Sequence, residues 1–163
     1  MIALVLGGAR SGKSAFAERL AGALPAPVTY VATGTASDEE MAVRIALHRA
    51  RRPAAWRTEE VGADLVGGLD RLAGTVLVDS LGSWVAACDM AADVDGLLDV
   101  LGRRSGDAVL VSEEVGLGVH PPTALGVRFR DAVGEVNAAV AEVADDVRLV
   151  VAGRGLRLER LEP

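Results

Sequence analysis

Cysteine, aromatic residues and lysine are all scarce in this 163-residue chain, and each scarcity excludes something. One cysteine, Cys88, rules out an internal disulfide, and a lone thiol fits a reducing compartment. No basic residue adjoins it in sequence, so it reads as a small packed side chain rather than a nucleophile. Aromatics make up 3% of a chain that is half hydrophobic, which leaves the core to Ala, Val and Leu. A net charge of -6 and a pI of about 4.9 argue against broad nucleic-acid binding, which needs a basic face, but leave room for a local anion site. No apolar run approaches the roughly 18 to 20 residues of a membrane span. The apolar start, Ile2 to Leu6, meets a glycine loop with no basic leader, unlike a secretory signal. The expectation is a cytoplasmic protein without stable membrane insertion. Of 17 basic residues, only Lys13 is a lysine.

What is present is alternation. Ile2–Leu6, Val28–Ala32, Thr75–Val78, Ala108–Val111 and Val147–Ala152 are short apolar runs without polar alternation, the pattern of strands covered on both faces. Helix-like stretches lie between them, at about residues 13–24, 38–52, 82–103 with a break near Asp93, and 122–144. Strand alternating with helix predicts a mostly parallel sheet flanked by helices. Leu156–Leu158, beyond the Gly153/Gly155 turn, is placed to return as a short antiparallel edge strand. The length suits one domain, and no linker or repeat divides it.

The first strand leads into Gly7-Gly8-Ala9-Arg10-Ser11-Gly12-Lys13-Ser14 and then into a helical pattern. This is G-x-x-x-x-G-K-[ST] in the context its chemistry requires. Glycines let backbone N–H groups converge on a phosphate, and the helix N-terminus adds its positive dipole end. Lys13 is placed to reach β- and γ-phosphates, and Ser14 to coordinate Mg²⁺. A second metal ligand should be an acid at the end of a buried neighbouring strand. Asp79, closing Thr75-Val76-Leu77-Val78-Asp79, fits; the lesser alternative is a cap for the helix that starts near Leu81.

Thr33-Gly34-Thr35 follows the second strand at a carboxyl end, where open α/β sheets bind ligands. A capping box, Ser37-x-x-Glu40, then opens a helix. At about 100° per residue, Val43, Ala46, Leu47 and Ala50 make its apolar stripe. His48 faces the other way, with Arg44, Arg51, Arg52, Met41 and Ile45. Clustered guanidinium groups disfavour the charged imidazole, which keeps it neutral and nucleophilic, and they bind phosphate bidentately. By spacing alone, a surface histidine on a charged helix face is the ordinary alternative. His120, beside Pro121 and Pro122, reads as structural, capping the following helix, with a substrate-facing role as the alternative.

With these residues in view, the chain closely resembles the bifunctional adenosylcobinamide kinase / adenosylcobinamide-phosphate guanylyltransferase family. The resemblance rests on the loop at 7–14, on Asp38-x-Glu40-Met41, Arg44-Ile45, His48-Arg49 and Arg52-Pro53, and on Trp56-x-Thr58-x-Glu60. It continues through Val78-Asp79-Ser80-Leu81 with Trp84, Ser112 to Gly118, Arg128-x-Arg130-Asp131-x-x-Gly134-x-x-Asn137 and Leu149 to Gly153. It implies a P-loop (RecA-like) fold and two reactions. A nucleoside triphosphate, ATP or GTP, phosphorylates adenosylcobinamide. GTP then donates GMP to adenosylcobinamide phosphate through a guanylylated histidine, releasing pyrophosphate. His48 matches the nucleophile, with Lys13 as the other catalytic residue. Nucleotide contacts would fall on Gly7 through Ser14, Thr33, Gly34, Thr35, Arg49, Ala50, Arg51, Arg52, Glu60 and Asp79. The resemblance also implies a homotrimer in which a neighbouring subunit helps the guanine site. Two departures stand out: Glu113 where the family usually has Asn, and Ser80 in place of a frequent cysteine. Without the resemblance, a simple small-molecule kinase with an arginine-rich lid, or a nucleotide-sensing P-loop protein, would fit the same motifs.

Overall fold

The computed structural model describes residues 1–34 and 52–161, so the helix expected at 38–52, with His48, Thr35, Arg49, Ala50 and Arg51, lies outside the described residues. Seven strands form one sheet: β1 (Ile2–Gly7), β2 (Val28–Ala32), β3 (Arg57–Glu60), β4 (Thr75–Asp79), β5 (Ala108–Glu113), β6 (Asp146–Val151) and β7 (Arg154–Leu158). Their order across the sheet is β3-β2-β4-β5-β1-β6-β7. Every pairing is parallel except β6 with β7, which are antiparallel. All five apolar runs are strands and the C-terminal return is the expected edge. β1, β2, β4 and β5 are buried along most of their length, whereas β6 is only partly covered, with Val151 exposed, because it lies next to the edge strand.

Alternate residues of each inner strand feed two cores. On one face Ala3, Val5, Leu77, Val109 and Val111 pack under α1 (Lys13–Gly22), whose fully buried contacts are the small Ala17 and Ala21, flanked by the partly buried Phe16 and Leu20. Small contacts let the helix axis sit close to the sheet, which brings the loop before α1 down onto the strand ends. On the other face Leu4, Leu6, Val76, Val78 and Leu110 pack under four helices: α2 (Leu65–Arg71), α3 (Leu81–Ala87), α4 (Val94–Arg103) and α5 (Ala124–Val143). Trp84 is the largest fully buried side chain there, and its indole N–H donates to the Ala63 carbonyl at 3.0 Å. A core short of aromatics is thus built from aliphatic strands, with one tryptophan as its largest buried side chain.

The expected break near Asp93 is real. Asp93 caps α4, its carboxylate accepting from Gly96 N at 3.0 Å, so α3 and α4 are separate. Two elements had no clear signal. β3 reads Arg-Thr-Glu-Glu, is exposed throughout and is held to β2 by backbone pairing. The seven-residue α2 carries two interior glycines, and its C-terminal end is tied down from a distance. Arg104 donates to the carbonyls of Leu69, Leu72 and Gly74 at 2.6, 2.8 and 2.9 Å, satisfying groups that a helix end leaves open. No helix among the described residues is long and apolar enough to cross a membrane.

Candidate active site

The parallel register collects the chemistry at one end of the sheet. Ala32 lies opposite both Asp79 and Glu60, and Gly7 lies opposite both Glu113 and Val150. The carboxyl ends of β3, β2, β4, β5 and β1 therefore form one ledge beside the loop between β1 and α1, where ligands of open α/β sheets sit.

The loop has the geometry its spacing requires. Gly12 stands at φ 95°, a left-handed conformation open to glycine, and α1 starts at the next residue. The N-cap residue, Gly12, has no side chain to cap this helix start, which lies beside the ledge. Ser11, which is buried, accepts from Lys13 N through Oγ at 3.3 Å, and its carbonyl accepts from Gly153 N at 2.8 Å. That last bond ties the loop to the turn between β6 and β7, where Gly153 takes a left-handed φ of 72°. Arg10 sits exposed at the crest with φ 56°.

Lys13 is buried, 5% exposed, and its ammonium lies 3.6 Å from Glu113 Oε1. The other oxygen, Glu113 Oε2, accepts from Ser80 Oγ at 3.0 Å and from Gly82 N at 3.1 Å. Ser80 and not Asp79 caps α3, its hydroxyl accepting from Ser83 N. The carboxylate of Asp79 instead accepts the Tyr30 O–H at 3.0 Å. Burial, and then the Asp79 charge, raise the Tyr30 phenol far above its usual range, so it stays a donor at any physiological pH. Arg52 stacks on that ring, 3.2 Å from the centroid, and donates to Thr58 Oγ1 at 3.3 Å.

The remaining expected residues divide. Gly7, Gly8, Ala9 and Ser14 follow the loop, and Glu60 ends β3 in an exposed position. Thr33 lies on the ledge, but its hydroxyl is engaged: it donates to the Ser80 carbonyl at 2.6 Å and accepts from Ser80 N at 3.0 Å. It clamps the end of β2 to the start of α3. Gly34 comes next, exposed and facing Ser83. His120 does not cap α5; Thr123 does, accepting from Gly126 N at 3.1 Å. His120 Nδ1 lies 3.0 Å from Arg130 Nη1, and since a guanidinium can only donate, that nitrogen accepts. Cys88 is half-buried, and burial raises its thiol above the usual value, so it is not an activated nucleophile.

Residues 3–158 match the CobU family, described as cobinamide kinase / cobinamide phosphate guanyltransferase. The chain belongs to this family. It is 46% identical to the bifunctional adenosylcobalamin biosynthesis protein CobP of Pseudomonas aeruginosa, over 96% of each chain. It is 40% and 37% identical to the CobU proteins of Salmonella typhimurium and Escherichia coli, over 98% of this chain and the whole of each relative. Among solved structures, a prototypical ATPase from the type III secretion system of pathogenic bacteria superposes with a TM-score of 0.62 at 12% identity. That match covers 91% of this chain and half of the ATPase, and it speaks to the fold alone.

Seen in this family member, several motif residues are scaffolding for the ledge. Asn137 on α5 donates to the Glu113 carbonyl at 3.0 Å, fixing the end of β5. Glu114 accepts from Gly116 N at 2.6 Å and Leu117 N at 3.2 Å, folding the loop that follows. The two departures, Ser80 and Glu113, touch each other. Tyr30 was not among the residues sequence reasoning picked out; the one available signal was the chain's single tyrosine inside a mostly apolar strand.

Proposed function

We propose that this chain catalyses both reactions of its family within one domain: phosphorylation of adenosylcobinamide by ATP or GTP, and transfer of GMP from GTP to adenosylcobinamide phosphate. The observation that supports the reading is the buried Lys13 ammonium at the head of α1, with only β5 between its strand, β1, and the strand that ends in Asp79. Phosphoryl transfer asks little of a protein beyond placing cations and N–H donors around the moving phosphate. The loop from Gly7 to Ser14 supplies them, and Arg52, Glu60 and Thr33–Gly34 line the ledge on which the rest of the nucleotide would lie. Thr35 and the Arg49–Ala50–Arg51 run complete the proposed contacts.

For the second reaction a neutral His48 nitrogen attacks the α-phosphorus of GTP, and the bond to the bridging oxygen breaks as pyrophosphate leaves. A phosphate oxygen of the acceptor then attacks the same phosphorus, and the histidine is restored. The assembly is a homotrimer in the cytoplasm, with the guanine end of the site completed by a neighbouring subunit. Incubation with α-labelled GTP should label the protein, whereas γ-label should pass to adenosylcobinamide and leave none on the chain. γ-Transfer with no protein adduct would reduce the enzyme to a kinase, and the absence of both would remove the enzymatic reading.

The donor set fits a hard cation: Ser14 offers a hydroxyl at the start of α1, and Asp79 a carboxylate at the end of β4. Bound between them, Mg²⁺ would neutralise charge on the phosphate oxygens. Tyr30 donates to Asp79 Oδ2, which fixes one oxygen of the carboxylate. Asp79→Asn keeps the shape and an oxygen that can accept from Tyr30, but removes the charge. Both activities should fall by about 100-fold or more, equivalent to roughly 3 kcal/mol of transition-state stabilisation, with the melting temperature unchanged. Retained activity with normal Mg²⁺ dependence would take Asp79 out of the metal site.

A further inference from the structure

The phosphate-loop lysine already has a carboxylate beside it. Glu113 Oε1 is 3.6 Å from Lys13 Nζ, and the lysine is almost wholly buried. The carboxylate is not free to swing away. Its second oxygen is held by Ser80 Oγ and by Gly82 N at the start of α3. It lies so close over Gly82 that a Cβ there would collide with Oε2. The strand beneath is fixed as well, by the Gly7–Glu113 register and by the bond from Asn137 to the Glu113 carbonyl. A fixed anion therefore stands at the point where a phosphate loop directs its lysine to β- and γ-phosphates.

We propose that Glu113 is a positioning residue that competes with the terminal phosphates of the nucleotide for Lys13, and so weakens triphosphate binding relative to monophosphate binding. This rests on the reading of residues 7–14 as the nucleotide site. The ammonium is shared between Oε1 and the incoming phosphate oxygens, and the carboxylate repels the same oxygens. Both effects act on β- and γ-phosphates, because the lysine serves those, and little on an α-phosphate cradled by backbone N–H groups. The consequence is a site that releases triphosphate and pyrophosphate readily despite an otherwise strong set of donors.

Glu113→Gln tests this. The amide can still accept from Ser80 and Gly82, so the start of α3 is kept while the charge is lost. By calorimetry on the full-length protein with Mg²⁺, GTP should bind about 10-fold more tightly, the size expected for removing a partly screened charge a few ångströms away. GMP affinity should stay within about 2-fold, and the melting temperature should show the variant folded. Unchanged or weaker GTP binding would overturn the proposal, as would equal tightening of GTP and GMP, which a general change in charge would give. Should Glu113→Gln fail to fold, Glu113→Asn removes the same charge with a shorter side chain, and the same GTP-to-GMP ratio decides. Failure of the underlying reading looks different: in that case Lys13→Ala would leave wild-type GTP affinity intact whatever residue stood at 113.

Discussion

Lys13→Ala is expected to lower both phosphorylation and guanylylation by about 1000-fold while the protein remains folded. The size follows from the placement. The ammonium is buried, so its interaction with a phosphate is less screened than a surface lysine's would be. Charge stabilisation of this kind is worth roughly 4 kcal/mol when a single preorganised donor is lost. Removal of one partner from a buried pair usually destabilises a fold, because it strands the other charge. Here Glu113 retains two donors, Ser80 Oγ and Gly82 N, and is only partly buried, so the stranded charge is solvated and hydrogen-bonded. The melting temperature should therefore shift by a few degrees at most. Rates of γ-label transfer to adenosylcobinamide and of α-label transfer to protein, measured on one preparation, check the point. Near-normal turnover in a folded Lys13→Ala variant would show that residues 7–14 are not the working nucleotide site.

The parts of the fold that the sequence made legible are those in which one residue's environment dictates its type. Strands covered on both faces must be largely apolar, so β1, β2, β4 and β5 announced themselves, while β6, only partly covered, was legible from its Leu149–Val151 run alone. β3 has neither face buried, so Arg57-Thr58-Glu59-Glu60 answers to solvent rather than to the sheet. Only its backbone pairing with β2 makes it a strand, and backbone pairing leaves no mark on composition. The loop was legible because glycine and lysine at fixed offsets are what a phosphate cradle demands. Contacts between strand ends were not. Tyr30 with Asp79, Thr33 with Ser80 and Lys13 with Glu113 join residues remote in the chain, brought together by register alone. Asp79 illustrates the limit: a terminal acid on a buried strand could bind metal or cap a helix, and only the position of Ser80 over Ser83 N assigns the cap. Glu113 was visible as a departure, yet nothing local pointed to its partner.

The transferase half of the assignment depends on His48→Ala, whose expected result is complete loss of the protein–nucleotide adduct. Histidine–GMP is a phosphoramidate. Its P–N bond breaks readily once the nitrogen is protonated and resists base, so label from α-labelled GTP should be lost in acid and kept in alkali. A serine or threonine ester would survive the acid, and γ-label should be absent because it departs with pyrophosphate. The internal control is His120→Ala. That imidazole is exposed on the loop after β5, and its Nδ1 already accepts from Arg130, so its removal should leave the adduct intact. Kinase chemistry requires positioning by the phosphate loop and its cation but no covalent intermediate. His48→Ala should therefore still pass γ-phosphate to adenosylcobinamide, separating the two reactions in one protein. An adduct that persists in His48→Ala would move the nucleophile elsewhere and leave the neighbouring arginines as phosphate ligands only. A wild-type protein that binds GTP yet never becomes labelled would confine the chain to phosphoryl transfer.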